Sequence, residues 1–247
     1  MSENKNKIIL ITGASRGIGK EIALILSEKF TLILHASSEA SLTEIRNLLG
    51  ENHFYLAANL AKSDELKSFC ESLKTIGKER LFGIVNNAGI TNDKPLIYQS
   101  EKDIDDLLHI NIKAPLMICK TGLKIFMKNN EGIIVNMGSC VGEMGNAFQI
   151  VYAMTKAAIA NMTKSIAKEI AAIKPTHKIR AVTVSPGFIE TDMTKNLNPE
   201  TVSNYLQHIP SRRLGEAAEV AQLVNFIFSD QSSYINGVEL KINGGIV

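Results

Sequence analysis

Residues 7–19 read Lys7-Ile8-Ile9-Leu10-Ile11-Thr12-Gly13-Ala14-Ser15-Arg16-Gly17-Ile18-Gly19. The apolar, β-branched run from Lys7 to Thr12 has the length and composition of a buried strand. The glycines at 13, 17 and 19 then turn the chain into a helix that begins near Ile18. In that context Gly13 and Gly17 permit a tight turn, and Gly19 permits close helix packing. A helix N-terminus placed there presents free N–H groups and a partial positive charge to a pyrophosphate. Gly13, Ser15, Arg16, Gly17, Ile18 and Gly19 are therefore the first candidate cofactor contacts. Their spacing is Gly-x-x-x-Gly-x-Gly and not Gly-x-Gly-x-x-Gly, which points to a particular branch of dinucleotide binders.

Runs like the first one recur at Thr31 to His35, Phe54 to Ala58, Phe82 to Asn86, Gly132 to Met137, Ile179 to Ser185 and Val238 to Ile242. Between them lie segments with apolar residues at helical spacing, such as Ile22, Ile25 and Leu26. A βαβα order implies a mostly parallel sheet. The expected fold is α/β, a doubly wound seven-stranded parallel sheet with helices on both faces, in a single domain over residues 1–247. Ser100 with Asp103 marks a helix start, and Pro115 inside the following helical stretch predicts a break in the backbone ladder just beyond Asn111. From Phe188 to Pro210 the apolar pattern is interrupted by Thr, Asn and Pro, which reads as an insertion over one rim of the sheet and a candidate cover for substrate.

The 247 residues are 45% hydrophobic and 21% charged, enough to bury a full core. A formal charge of +2, with only Arg212 and Arg213 adjacent as arginines, argues against a nucleic-acid partner. The apolar run Ile8 to Ile11 is too short for a secretory or membrane segment, so the expected location is cytoplasmic and no membrane partner is expected. Cys70, Cys119 and Cys140 are widely spaced, which fits free thiols and supplies no metal cluster. Cys140 reads as a packing residue.

The end of the second strand indicates which dinucleotide is preferred. A carboxylate there would bind a ribose 2′-hydroxyl and repel a 2′-phosphate; here His35-Ala36-Ser37-Ser38 precedes the first carboxylate, Glu39. Two hydroxyls and the Arg16 guanidinium favour NADPH over NADH. After the third strand, Asn59 offers an amide to an adenine edge and Leu60 an apolar surface for its ring. Asn87, Ala88 and Gly89 follow the fourth strand, where small residues either approach a ribose or brace the sheet. Pro186 and Gly187 end the sixth, with Ile189 and Thr191 just beyond. All of these stand at the carboxyl ends of parallel strands, where open α/β sheets bind ligands.

Tyr152 and Lys156 are four apart in a helix-forming segment, so both lie on one helix face and can serve as cofactor contacts as well as chemistry. As a bare pattern the pair is weak, since chance supplies about 0.4 such pairs per chain of this composition. A neighbouring ammonium is expected to lower the phenol pKa from its usual value of about 10. Ser139 follows the fifth strand and can share a carbonyl oxygen with the phenol. The chemistry expected is hydride delivery to a carbonyl carbon, with Tyr152 protonating the alkoxide and Ser139 stabilising it. Asn111, near its kink, is expected to hold a water linking Lys156 to solvent.

Taken in order, Thr-Gly-x-x-x-Gly-x-Gly at 12 to 19, Asn-Asn-Ala-Gly at 86 to 89, Asn111, Ser139, Tyr-x-x-x-Lys at 152 to 156 and Pro-Gly at 186 to 187 resemble the short-chain dehydrogenase/reductase family. The resemblance implies a single Rossmann domain, a catalytic tetrad of Asn111, Ser139, Tyr152 and Lys156, and a dimer or tetramer. Within the family, Ile11 to Gly19, Asn86 to Thr91, Pro186 to Met193 and Ile242 to Gly245 are most similar to 3-oxoacyl-acyl-carrier-protein reductases of fatty acid synthesis. That similarity implies an NADPH-dependent homotetramer acting on a carrier-bound acyl substrate, with acyl carrier protein as a partner.

Two stretches depart from the pattern. Lys128-Asn129-Asn130-Glu131 is nearly neutral where such reductases are basic, with Lys174 and Lys178 as a substitute patch. Asn146 to Val151 is bulkier than usual beside Tyr152. A short-chain reductase for another ketone, such as a coenzyme A thioester, a sugar or a secondary metabolite, is the enzymatic alternative. A catalytically silent dinucleotide-binding scaffold or sensor is the alternative of another class.

Overall fold

A computed structural model describes residues 3–190 and 206–246. Seven strands form one sheet: β1 (Ile8–Thr12), β2 (Thr31–Ala36), β3 (Phe54–Ala57), β4 (Leu81–Asn86), β5 (Glu131–Met137), β6 (Lys178–Pro186) and, last in the chain, β9 (Val238–Ile242). Their spatial order is β3-β2-β1-β4-β5-β6-β9, and every neighbouring pair is parallel. A two-residue pair, β7 (Ile189–Glu190) with β8 (Gly215–Glu216), lies outside that sheet. The seven expected strands are all present, with ends shifted by a residue or so.

Alternation along β1 explains why helices cover both faces. Ile9 and Ile11 point to one side and pack with α1 (Gly17–Ser27), α2 (Glu39–Leu49) and α8 (Ala217–Ile227). Ile8 and Leu10 point to the other side, against α3 (Ser63–Gly77), α5 (Ala114–Asn129) and α7 (Ile150–Ile173). Side chains that alternate between two apolar faces give a continuous hydrophobic run, which is why β1 carries no polar residue before Thr12. The whole is a single-domain, Rossmann-like α/β fold. Among the described residues no helix is long and apolar enough to cross a membrane, and no cluster of side chains is suited to hold a metal ion.

α4 (Glu101–Leu108) starts at the expected place: the Ser100 hydroxyl accepts from the Asp103 N–H, and the Asp103 carboxylate accepts from the Ser100 N–H. The break expected at Pro115 takes a particular form. The helix does not stop; it widens into one π turn, His109–Lys113, before α5 begins. Pro115 has no N–H for the Asn111 carbonyl, and a wider turn accommodates that missing bond without ending the helix. A short helix, α6 (Val141–Met144), follows β5. Residues 191–205, which include Thr191 and most of the expected cover from Phe188 to Pro210, lie outside the described residues.

Candidate active site

A cleft of about 390 Å³ runs along the carboxyl ends of the strands. At one end it is lined by Gly13, Ser15, Arg16, Gly17, Ile18, Gly19, Ser37, Asn59 and Leu60; at the other by Ser139, Tyr152, Lys156, Pro186, Gly187 and Ile189; Asn87, Ala88 and Gly89 lie between. Among the described residues, every candidate contact thus lines one cleft except Asn111, which is buried behind it; Thr191 lies outside the described residues. His35, Ala36, Ala58, Ile90, Thr91, Ile110, Met137 and Gly138 line it as well and were not singled out.

The glycine turn has the shape a dinucleotide requires. Gly13 and Gly17 take positive φ of 67° and 53°, the left-handed region that glycine enters without strain. A Cβ on Gly19 would stand 2.1 Å from the Gly13 carbonyl oxygen and 2.5 Å from Asn87 Nδ2, so this position cannot carry a side chain without moving the turn. Arg16 is the exposed N-cap residue of α1, with no side-chain capping bond and no acidic residue in the first turn, which leaves the helix N-terminus open. Asn87 is a brace: its Nδ2 donates to the carbonyls of Thr12 (3.0 Å) and Gly13 (3.1 Å). The Thr12 hydroxyl in turn accepts from the N–H groups of Asn87 and Ala88, both at 3.0 Å.

At the end of β2 only one of the two expected hydroxyls is open. Ser38 caps α2 by accepting from the Ser41 N–H at 3.3 Å, whereas Ser37 is exposed in the cleft wall. Glu39 is directed to Arg46, at 3.4 Å. Asn59 Oδ1 accepts from the Ala61 N–H at 3.0 Å, which leaves its amide nitrogen for a ligand, and Leu60 is buried.

At the reacting end, α7 brings Tyr152 and Lys156 beside Ser139, which follows β5. Close packing of α6 on α7 sets the distance: a Cβ on Gly142 would meet the Lys156 backbone at 2.9 Å. Lys156 is buried and donates to the Met137 carbonyl at 2.8 Å; its Nζ lies 5.6 Å from the centroid of the Tyr152 ring. Burial pushes its pKa down to about 8. Burial also pushes the Tyr152 phenol up to about 12, opposed by a hydrogen bond with Ser139 and reinforced by the Asp93 carboxylate. The expected lowering of the phenol by Lys156 is therefore not what this geometry produces. Loss of solvent outweighs every local partner, and the ammonium donates to a backbone carbonyl instead.

Asn111 is 2% exposed, and both its side-chain nitrogen and its side-chain oxygen bond to protein groups. Oδ1 accepts from the Ile90 N–H (2.9 Å), and Nδ2 donates to the Ile90 carbonyl (2.9 Å) and to Thr155 Oγ1 (3.1 Å). With both Nδ2 hydrogens spent on Ile90 and Thr155, the amide has none left to donate to the expected water. The group at Asn111 deprived of its α-helical partner is the main-chain carbonyl, four residues before Pro115. The segment before Tyr152 crosses to the loop after β4: Gln149 Nε2 donates to Asp93 Oδ1 at 2.9 Å, and the Lys94 N–H donates to the Phe148 carbonyl at 3.0 Å. Phe148 stands out at 57% exposure with φ of 67°.

The substitute basic patch lies elsewhere. Lys174 Nζ donates to the Met127 carbonyl at 2.9 Å, and the Lys178 N–H donates to the Asn130 carbonyl at 2.9 Å. This corner is where β5 and β6 start, and the cleft is where they end, about 20 Å away along the strands. Glu131 there pairs with Lys7 at 3.1 Å. Lys174 and Lys178 do not border the cleft of their own chain.

Residues 7–202 match the family model described as short chain dehydrogenase. The chain belongs to the short-chain dehydrogenase family. Among its relatives are proteins named 3-oxoacyl-[acyl-carrier-protein] reductase FabG, from Vibrio harveyi (41% identical over 245 residues), Vibrio cholerae (40% over 247) and Escherichia coli (37% over 244). In each comparison 98% of both chains is covered. This short-chain dehydrogenase is accordingly an oxidoreductase of a family that uses a nicotinamide cofactor.

Proposed function

We propose that the protein is an NADPH-dependent reductase of 3-oxoacyl thioesters carried on acyl carrier protein, in fatty acid synthesis, working in the cytoplasm as a homotetramer. The observation that carries this reading is one continuous cleft: an open helix N-terminus and Arg16 at one end, and Ser139, Tyr152 and Lys156 at the other. Relatives that carry the carrier-protein reductase name match along nearly the whole chain. Preference for NADPH is supported by the exposed Arg16 and Ser37 and by a carboxylate-free end of β2, which leaves nothing to repel a 2′-phosphate.

In the proposed reaction the nicotinamide supplies hydride to the ketone carbon. Gly13, Ser15, Arg16, Gly17, Ile18 and Gly19 hold the phosphates and Ser37 the 2′-phosphate, while Asn59 and Leu60 hold the adenine. Asn87, Ala88, Gly89, Pro186, Gly187, Ile189 and Thr191 shape the ribose and nicotinamide end. A phenol raised to about 12 stays protonated at neutral pH, the state a proton donor needs. Tyr152 gives that proton to the developing alkoxide, and Ser139 donates a hydrogen bond to the same oxygen. Lys156 replenishes the proton through a water held by the Asn111 main-chain carbonyl.

The remote lysine corner and the bulky Asn146 to Val151 segment favour, as a second reading, a ketone thioester that is not carrier-bound. Steady-state oxidation of NADPH with acetoacetyl groups on carrier protein and on coenzyme A separates the two. A kcat/KM at least about tenfold higher on the carrier is expected. Equal values would replace the first reading with the second, and no turnover of any ketone would remove both.

A further inference from the structure

The glycine turn is suspended between two anchors, and the second of them is a histidine. Asn87 holds the turn by its carbonyls. His35, the fifth residue of β2, holds it by two consecutive N–H groups: that of Gly13 donates to His35 Nδ1 at 3.3 Å, and that of Ala14 donates to the His35 carbonyl oxygen at 2.8 Å. On the far side of the ring Nε2 lies 2.9 Å from the Ala58 carbonyl oxygen, which can only accept, so Nε2 carries the hydrogen. Nδ1 is then the unprotonated nitrogen, which is what the Gly13 N–H requires. The ring is 3% exposed, meets Phe69 edge-on at 5.0 Å between centroids, and lines the cleft. Burial with no carboxylate partner pushes its pKa down to about 4, so the ring stays neutral at ordinary pH.

We propose that His35 is a positioning residue for dinucleotide binding, whose Nδ1, by holding the Gly13 N–H, fixes the glycine turn in the shape that leaves the α1 N-terminus open to the pyrophosphate. The physical need arises from the turn itself. Two residues of it are left-handed glycines, and glycine has many alternative conformations to populate when unanchored. Ordering such a turn at the moment of binding weakens affinity; ordering it beforehand restores it. The N–H groups at 13 and 14 are spent on His35, so those left for a ligand lie further along the turn, toward the start of α1.

The inference rests on the dinucleotide reading of the cleft, and binding of NADPH to the unaltered protein tests that reading separately. Three substitutions at His35 test the inference. In His35→Asn the side-chain oxygen falls where Nδ1 stood and can still accept from Gly13. His35→Gln places its nitrogen where Nε2 stood, keeping the Ala58 contact and losing the Gly13 one, and His35→Leu loses both. Dissociation constants for NADPH and NADH, measured by quenching of protein or nicotinamide fluorescence, are expected to rise about tenfold for Gln and Leu with either cofactor and to stay within about twofold for Asn. Each variant is also melted without ligand. Lower melting temperatures accompanied by equal affinities for Asn, Gln and Leu would mean that His35 only supports the fold, and would overturn the inference. Should the Gln or Leu protein not fold, nitrogen-15 imidazole shifts of the unaltered protein decide: a hydrogen on Nε2 is expected, and a hydrogen on Nδ1 would overturn it.

Discussion

The two ends of the cleft are built on opposite principles. At the adenosine end, shape is carried by the backbone: positive-φ glycines, a glycine where a Cβ would collide, and main-chain groups pinned by Asn87 and His35. The pinning groups are neutral and held on fixed partners. At the reacting end, the work falls on titratable side chains that burial has moved from their ordinary values, Tyr152 upward and Lys156 downward. The first end is specified by what cannot be there, and the second by which protons are where. Substitutions at the reacting end should therefore change turnover and pH dependence, and those at the adenosine end affinity and cofactor choice.

The largest effect expected is at Tyr152. Tyr152→Phe keeps the ring and removes the proton, so kcat should fall by about a thousandfold while the dissociation constant for NADPH changes little. An unchanged kcat would refute the donor role, and a parallel loss of cofactor affinity would erase the distinction between the two ends. Arg16→Ala probes the other end with a smaller effect. An exposed guanidinium paired to a phosphate supports about a tenfold preference, so NADPH should weaken by about that factor while NADH is nearly unaffected. Equal losses for both cofactors would mean that Arg16 does not read the 2′-phosphate.

How legible each part was in the sequence follows from the same division. The sheet was readable because strands buried on both faces become apolar runs, and β1 and β4 are such runs. The cofactor end was readable because its constraints select glycine, and Gly13, Gly17 and Gly19 are visible as letters. Its anchor was not. His35 was informative at first only as the absence of a carboxylate, since nothing in a single sequence says that a strand-end histidine reaches a turn 22 residues away. Positions at the reacting end were readable from spacing, but their electrostatics were not: the sign of the Tyr152 shift depends on burial, which comes from helices distant in the chain. The surroundings of the Asn111 amide were hidden for a related reason. The kink was foreseeable from Pro115, whereas the capture of the amide by Ile90 and Thr155 depends on how α7 packs. Lys174 and Lys178 stand just before and at the start of β6, the end opposite to the one where an open α/β sheet binds ligands, so they were poorly placed for a carrier reaching the cleft of the same chain.

The smallest expected effect concerns Asp93, which stands between the two principles: an exposed carboxylate that is both a structural acceptor and a charge acting on the phenol. Asp93→Asn keeps an oxygen for Gln149 Nε2 and removes the charge, so the link between the loops survives and only the electrostatics change. A negative neighbour disfavours phenolate, and its removal must lower the Tyr152 pKa. In the direction of alcohol oxidation, where Tyr152 has to be deprotonated, the rise of kcat/KM with pH should move to lower pH by less than about one unit, because the carboxylate faces solvent. The shift should shrink further at about 1 M salt, where the screening length is about 3 Å. A profile that moves to higher pH would give the sign of a lost hydrogen bond and place Asp93 with the structural anchors of the glycine turn. A salt-sensitive move to lower pH would place it with the groups that tune the proton.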